Sequence, residues 1–162
     1  MPDNLTGFQL RPFCLYWLPP LLLAGAQIFI LSTTRFGGEH TLPLAQWLHS
    51  LWPLRVMELN RYHLLLRKGS HLVAYGILYL LWFRPLRVRL GLSLARAALW
   101  GLGLCLLVGA GEEVAQQMTQ GRVGQVSDVI LDLAGASLAA LLVWGLTRAR
   151  GKPERLKQRG AA

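Results

Sequence analysis

The sequence GEEVAQQMTQGRVGQVSDVILDLAG, residues 111–135, decides the fold because it places charged groups between two long apolar runs. Two adjacent glutamates, one arginine and two aspartates lie within these 25 residues. The flanking runs, 97–111 and 133–147, contain no Asp, Glu, Lys or Arg. Acidic groups in such a position need a specific environment, and the class of the chain determines what that environment is.

The composition predicts an integral membrane protein. The 162-residue chain is 53% hydrophobic and 15% charged, with a mean hydropathy of +0.37, which is more apolar than an ordinary soluble domain. Four apolar runs are present, at 13–34, 69–83, 97–111 and 133–147. The first has 22 residues without a charge, enough to cross a bilayer core of roughly 30 Å. The expected fold class is therefore all-α, a bundle of four transmembrane helices.

The second, third and fourth runs are short. Each has 15 charge-free residues, which reach only ~22 Å as a helix, so each helix must carry a charged turn into or against the membrane. Carboxylates that faced lipid there would be strongly destabilising, so these turns should face one another. We expect an outward-open cluster that contains Lys68, His71, Glu113, Gln116, Arg122, Asp128 and Asp132.

The basic residues predict the topology. The net charge is +9, but ten of the Lys and Arg residues flank spans directly, within 84–96 and 148–162. This position orients helix ends toward the cytoplasm, so both termini should be cytoplasmic and nucleic-acid binding is not expected. Residues 1–147 form a single transmembrane domain in this interpretation, and 148–162 a basic tail whose composition is typical of disorder.

Two features near the N-terminus have competing interpretations. Residues 13–26 resemble a signal peptide with a small-residue cleavage site, but the apolar run continues through 28–31, which favours a retained span. Cys14 and Cys105 should lie in opposite leaflets, so no disulfide is expected.

The external segment 35–67 contains a short amphipathic pattern. Leu44, Trp47, Leu48, Leu51 and Trp52 recur with helical spacing. Two tryptophans on this face favour a helix in the outer membrane interface. A loop helix packed over the bundle fits the same pattern.

Polar residues follow helical spacing in each of the last three spans. Lys68, His71 and Tyr75 share one stripe of the second span, and Glu113 and Gln116 extend the third. In the fourth span the stripe is small and acidic, namely Asp128, Asp132, Gly135 and Ala139. Small residues permit close helix approach in lipid, so this stripe should face the interior.

These residues resemble the VanZ-like family of bacterial membrane proteins. The resemblance covers about 67–145 and includes Lys68, His71, Tyr75, Glu113, Gln116, Gly121, Arg122, Asp128, Asp132 and Gly135. Two positions depart from the family pattern, since Gln120 stands where Pro is common and Asp132 where Asn is common. The resemblance implies a bacterial cytoplasmic-membrane protein of the cell envelope and, by analogy with the founding member, a link to low-level teicoplanin resistance. It implies no particular reaction.

Three functions are compatible with this pattern. The first is a polar pocket for an anionic lipid headgroup, a lipid-linked precursor or a glycopeptide. The ligand-binding candidates are Lys68, His71, Tyr75, Glu113, Gln116, Arg122, Asp128 and Asp132. The second is an intramembrane hydrolase or transferase for a lipid-linked phosphate or glycan. Its catalytic candidates are His71, Glu113 and Asp128, with Arg122 stabilising charge. The third, a proton or solute path, is disfavoured because the acids lie at one end of the bundle.

Two further interpretations concern cofactors and structure. No cofactor is expected, although a divalent metal at His71, Glu113 and Asp128 is a variant of the enzyme hypothesis. A purely structural ion-pair network is the other alternative, with Arg122 paired to Asp128 and Lys68 to Glu113.

Overall fold

The part of the chain that the structure describes forms five α-helices. The computed structural model describes residues 5–32, 38–51, 58–118 and 125–159, and the side chains of 14–30, 42–51, 58–118 and 125–149. The helices in chain order are α1 (Leu5–Ser32), α2 (Gly38–Leu51), α3 (Leu59–Val88), α4 (Leu94–Gln117) and α5 (Val126–Arg159). No strand occurs within the described ranges, so the prediction of an all-α fold is confirmed.

Among the described residues, two helical stretches are long and apolar enough to cross a bilayer. They are Leu94–Gln117 and Val126–Ala149, with 24 residues each. A shorter apolar stretch, Cys14–Ile30, lies within α1. Helices α3, α4 and α5 all extend beyond their 15-residue apolar runs and include the adjoining polar turns as regular helix. The polar side chains are therefore held on rigid elements rather than on loops.

Helix α3 is the centre of the bundle and contacts all four other helices. Its buried side includes Tyr75, Leu78, Tyr79 and Trp82. Helices α4 and α5 pack on α3 and on each other, and α1 packs against α3 and α4. Polar groups on different helices can consequently converge on α3.

Glycine allows α3 and α5 to approach closely. A Cβ atom at Gly135 would collide with the backbone of Leu72, and one at Gly76 would lie 3.5 Å from the Gly135 carbonyl oxygen. Ala139 is also buried on this face of α5. The inward orientation predicted from these small residues is confirmed. The close approach brings the first turns of α5 within side-chain reach of α3.

The outer surface of the bundle is apolar. Leu99 and Leu107 on α4 are each 70% exposed, and Phe29 on α1 and Leu141 on α5 are similarly open. Contiguous apolar surface of this kind is rare on a soluble monomer. It suits contact with lipid acyl chains.

The end of the bundle opposite the polar turns is basic. Helix α3 passes into α4 through Gly91, whose φ of 61° lies in the left-handed region that favours glycine. Arg84 and Arg89 lie over the ring of Tyr16, at 4.9 and 5.7 Å from its centroid. These cation–π contacts join α1 to the α3–α4 connection.

The amphipathic pattern within residues 35–67 does form a helix, α2. It contacts α3 through a face that includes the buried Ala45, while Leu44, Trp47 and Leu51 are exposed. Trp52 lies outside the described residues. Helix α2 therefore packs on the bundle, as a loop helix would. Its exposed Trp47 is also compatible with the predicted position in the membrane interface.

The basic tail is helical over most of its length. Composition predicted disorder from residue 148, whereas α5 continues as helix to Arg159. The segment contains Gly151 and Pro153, which have poor helix propensity, so local propensity does not explain this continuation.

Candidate functional site

The deepest polar contact joins α3 to α5. His71 Nδ1 and Asp132 Oδ1 form a hydrogen bond of 2.9 Å, in which the imidazole donates when the carboxylate is ionised. The two side chains are 10% and 2% exposed. A hydrogen bond to a charged partner contributes about 1.5–3 kcal/mol. The pair therefore both orients the imidazole and stabilises the α3–α5 interface.

Helix α4 contributes a second buried carboxylate, Glu112. The Tyr75 hydroxyl donates to Glu112 Oε2 at 3.1 Å, and Gln116 Nε2 donates to Oε1 at 2.9 Å. Glu112 is 1% exposed. Both of its oxygens thus have donors, one from α3 and one from its own helix.

These side chains form one group that is shared by three helices, which we call the buried cluster. Its members are His71, Tyr75, Glu112, Gln116 and Asp132. One nitrogen or oxygen atom from each of His71, Glu112 and Asp132 lies within 4.8 Å of the other two. A site built from helices in this way has little freedom to rearrange.

A cavity of about 180 Å³ opens beside the buried cluster. Its lining residues are Leu64, Arg67, Lys68, His71, Gln125, Asp128 and Leu131. Arg67 Nη2 donates to Asp128 Oδ2 at 3.2 Å, with the arginine side chain 45% exposed and the aspartate 12%. His71 belongs to both the cavity wall and the buried cluster, so it connects the two.

Glu113 has a structural position next to the cavity. Its Oε2 accepts a hydrogen bond from the backbone N–H of Gln125, the residue before α5 begins. Backbone N–H groups at a helix start have no partner within the helix. Glu113 satisfies one of them and joins the end of α4 to the start of α5.

The structure separates the predicted site residues into three groups. His71, Tyr75, Gln116 and Asp132 lie in the buried cluster, and Lys68 and Asp128 line the cavity. Glu113 supports the start of α5. Arg122 lies outside the described residues.

The predicted pair of Lys68 with Glu113 does not form, since Glu113 accepts from Gln125, and Arg122, the predicted partner of Asp128, lies outside the described residues. Asp128 accepts from Arg67 on α3, and Lys68 is exposed at the cavity wall. The metal-ligating group that the described residues form contains Glu112 and Asp132 with His71, in place of the predicted Glu113 and Asp128. Adjacent helix positions differ by about 100° in direction, so the rotation of α3 and α4 decides which neighbour points inward.

Sequence reasoning missed Glu112, although a signal for it was present. The buried positions of α4 include Ala97, Gly101, Cys105 and Gly109, which recur every four residues. The same buried face continues to Glu112 and Glu113, three and four residues beyond Gly109, and both are buried. The stripe therefore predicts that the acidic pair lies on the interior side of α4, but it does not decide which glutamate joins the buried cluster.

Comparison with known families agrees with the sequence pattern. The family model of VanZ/LLP1 matches residues 16–148. The chain belongs to the VanZ/LLP1 family. The match includes every member of the buried cluster and reaches into α1, beyond the 67–145 region that carried the resemblance.

Membership of the VanZ/LLP1 family confirms the predicted resemblance and identifies a VanZ-like membrane protein. No curated protein and no solved structure matches the chain at a significant level.

Proposed function

We propose that the chain is a four-span protein of the bacterial cytoplasmic membrane whose outward-facing cavity binds the phosphate of a lipid headgroup or a lipid-linked precursor. In this proposal α1, α3, α4 and α5 cross the bilayer, both termini are cytoplasmic, and α2 lies on the outer side. The apolar outer surface of the bundle supports the spanning arrangement, and the basic α3–α4 end supports the orientation.

The observation that carries the binding proposal is the pair of cations at the cavity wall. Arg67 and Lys68 both line the cavity, and Asp128 is its one carboxylate among the described lining residues. The cavity therefore carries a net positive charge when His71 is neutral. Arginine and lysine are the side chains that bind phosphate oxygens most readily, arginine through two N–H groups.

The size of the cavity favours a phosphate group over a whole drug molecule. Pockets that enclose drug-sized ligands have volumes of about 300–1,000 Å³, whereas this cavity has about 180 Å³. A glycopeptide would contact it only through one anionic group. A phosphate with adjoining acyl chains outside the cavity fits both the volume and the lipid-facing surface.

Lipid binding to charge-neutral variants tests this proposal. Arg67→Gln and Lys68→Gln should each reduce retention of phosphatidylglycerol by the purified protein at least about tenfold, as measured by native mass spectrometry against phosphatidylcholine. Arg61→Gln provides the matched control, because Arg61 is exposed on the same helix and does not line the cavity. The same measurement is repeated with a short-chain polyprenyl diphosphate and with teicoplanin. It distinguishes binding of a lipid headgroup from binding of a lipid-linked precursor or a glycopeptide. Equal phosphatidylglycerol retention in all three variants would contradict the proposal.

One observation favours an enzyme as the second candidate. With Nδ1 bonded to Asp132, the other imidazole nitrogen of His71 is available, and the residue lines the cavity. An oriented histidine beside bound phosphate is the arrangement of a general base or acid for a hydrolase or transferase. The test is turnover of a polyprenyl diphosphate by wild type and His71→Gln. Catalysis would be supported if wild type formed product and His71→Gln formed none while it retained lipid as wild type does. Absence of turnover by wild type would reject the enzyme hypothesis.

A further inference from the structure

The buried cluster contains more acid than base. Glu112 and Asp132 are each 1% exposed, and His71 is 8% exposed. The nearest guanidinium among the cavity residues, that of Arg67, bonds Asp128 instead. When both carboxyl groups are ionised, even a protonated His71 balances one of them, and one negative charge remains. A buried carboxylate without a compensating cation is strongly unfavourable, especially at membrane depth.

One carboxylate oxygen of the buried cluster has no partner. Asp132 Oδ2 is fully buried and accepts no hydrogen bond from the described residues. It points toward the shared interior, because a Cβ atom at Gly109 would lie 3.3 Å from this oxygen and 3.4 Å from the Tyr75 hydroxyl. That hydroxyl in turn contacts Glu112. The unpaired oxygen is thus directed at the place where the other polar atoms meet.

The geometry of the three side chains matches a metal-ligand set. One atom from each of His71, Glu112 and Asp132 lies within 4.8 Å of the others, and His71 Nδ1 is 2.9 Å from Asp132 Oδ1. Ligands about 2.0–2.2 Å from a zinc ion lie roughly 3–3.5 Å from one another, so small side-chain rotations complete the set. An imidazole with two carboxylates is a donor set for Zn²⁺, Mn²⁺ or Fe²⁺ rather than for Ca²⁺.

We propose that His71, Glu112 and Asp132 bind one divalent transition-metal ion between α3, α4 and α5. The ion neutralises the excess carboxylate and takes up the unpaired oxygen of Asp132. Tyr75 and Gln116, which donate to Glu112, hold that ligand in orientation, a role that outer hydrogen bonds have at metal sites. The cavity at His71 provides the route by which the ion enters. The metal-site proposal does not require that phosphate bind at Arg67 and Lys68.

Metal binding to the full chain in detergent tests the proposal. The purified protein is stripped with a chelator and titrated with Zn²⁺ by calorimetry, with bound metal counted by elemental analysis after desalting. Co²⁺ serves as a coloured probe, since its visible absorption reports coordination by protein ligands. We expect one ion per chain and a Co²⁺ spectrum that Zn²⁺ displaces.

Conservative variants identify the ligands. Glu112→Gln and Asp132→Asn keep the side-chain shape and one acceptor oxygen each, and folding of both variants is verified by circular dichroism. Each should weaken Zn²⁺ binding at least about tenfold. Glu113→Gln is the matched control, because it changes the neighbouring acid outside the metal-ligand set and should leave the stoichiometry unchanged. Binding of well below one ion per chain by folded wild type, or equal affinity in Glu112→Gln and Glu113→Gln, would overturn the proposal.

Discussion

Two tyrosines of α3 provide a matched pair for testing the buried cluster. Tyr75 and Tyr79 are one turn apart and both have 0% exposure. The Tyr75 hydroxyl donates to Glu112, whereas the Tyr79 hydroxyl has no hydrogen-bond partner among the described residues. Replacing each by phenylalanine removes one oxygen atom from a fully buried side chain. The difference between the two variants therefore isolates the hydrogen bond from the loss of volume.

The expected effects differ in size and in sign. Tyr75→Phe removes a donor from a buried carboxylate and should lower the free energy of unfolding by about 1.5–3 kcal/mol. Gln116 still donates to the other oxygen of Glu112, so the loss should not exceed this range. Tyr79→Phe removes a buried hydroxyl that has lost its hydration without gaining a partner, so it should be neutral or stabilising. A gap of about 2 kcal/mol corresponds to a roughly 30-fold difference in the unfolding equilibrium constant.

The assay is reversible unfolding of the purified protein in mixed micelles of increasing sodium dodecyl sulfate, followed by tryptophan fluorescence. A double-mutant cycle with Glu112→Gln gives the coupling energy, which should be at least about 0.5 kcal/mol for Tyr75 and close to zero for Tyr79. The proposed bonding of Glu112 would be refuted if the two variants had equal free energies of unfolding. It would also be refuted if Tyr79→Phe were less stable than Tyr75→Phe.

Three other predictions follow from the packing. Gly135→Ala should destabilise the protein by about 1–3 kcal/mol relative to Gly145→Ala, which has open space around the added methyl group; equal unfolding midpoints would contradict the close α3–α5 approach. Glu113→Ala should cost about 0.5–2 kcal/mol, and Glu113→Gln much less because its carbonyl oxygen still accepts from Gln125; similar losses in the same unfolding assay would exclude this role. Cys105 is buried and Cys14 exposed, so a maleimide should label one thiol per folded chain, and equal labelling rates would contradict the burial of Cys105.

The helices and the inward face of α5 could be predicted from sequence because both depend on periodicity. Apolar runs and polar turns locate α3, α4 and α5 without knowledge of tertiary contacts. Asp128, Asp132, Gly135 and Ala139 lie on one stripe whose small members allow only an interior position. The buried pair of Asp132 with His71 follows from placing two such stripes against each other.

The choice between neighbouring residues could not be predicted in the same way. Glu112 and Glu113 are adjacent, as are Arg67 and Lys68, and each pair differs by about 100° around its helix. Which partner each member meets depends on how the whole helix is rotated in the bundle, and that rotation is determined by packing along the full length of α4 or α3. The small residues of α4 mark its buried side, but both glutamates are buried there, so the stripe does not decide which of them contacts Tyr75.

The central claim is that small residues pack α3 directly on α5, and that this contact brings His71 and Asp132 together. Disulfide formation between Gly76→Cys and Ala139→Cys in native membranes tests it most directly. The two Cβ atoms would lie 3.9 Å apart, within the roughly 3.5–4.5 Å range of a disulfide. Cys14→Ser and Cys105→Ala remove the native thiols, and a protease site inserted between Gly121 and Arg122 separates the halves.

Oxidation should leave the two halves linked after proteolysis until a reducing agent is added. The control pair, Val73→Cys with Leu138→Cys, lies on surfaces that are each 62% exposed and should yield free halves. Rapid, reductant-sensitive linkage of the Gly76–Ala139 pair alone is the result that we predict. Linkage no greater than that of the control pair would contradict the packing from which the buried cluster and both proposed sites follow.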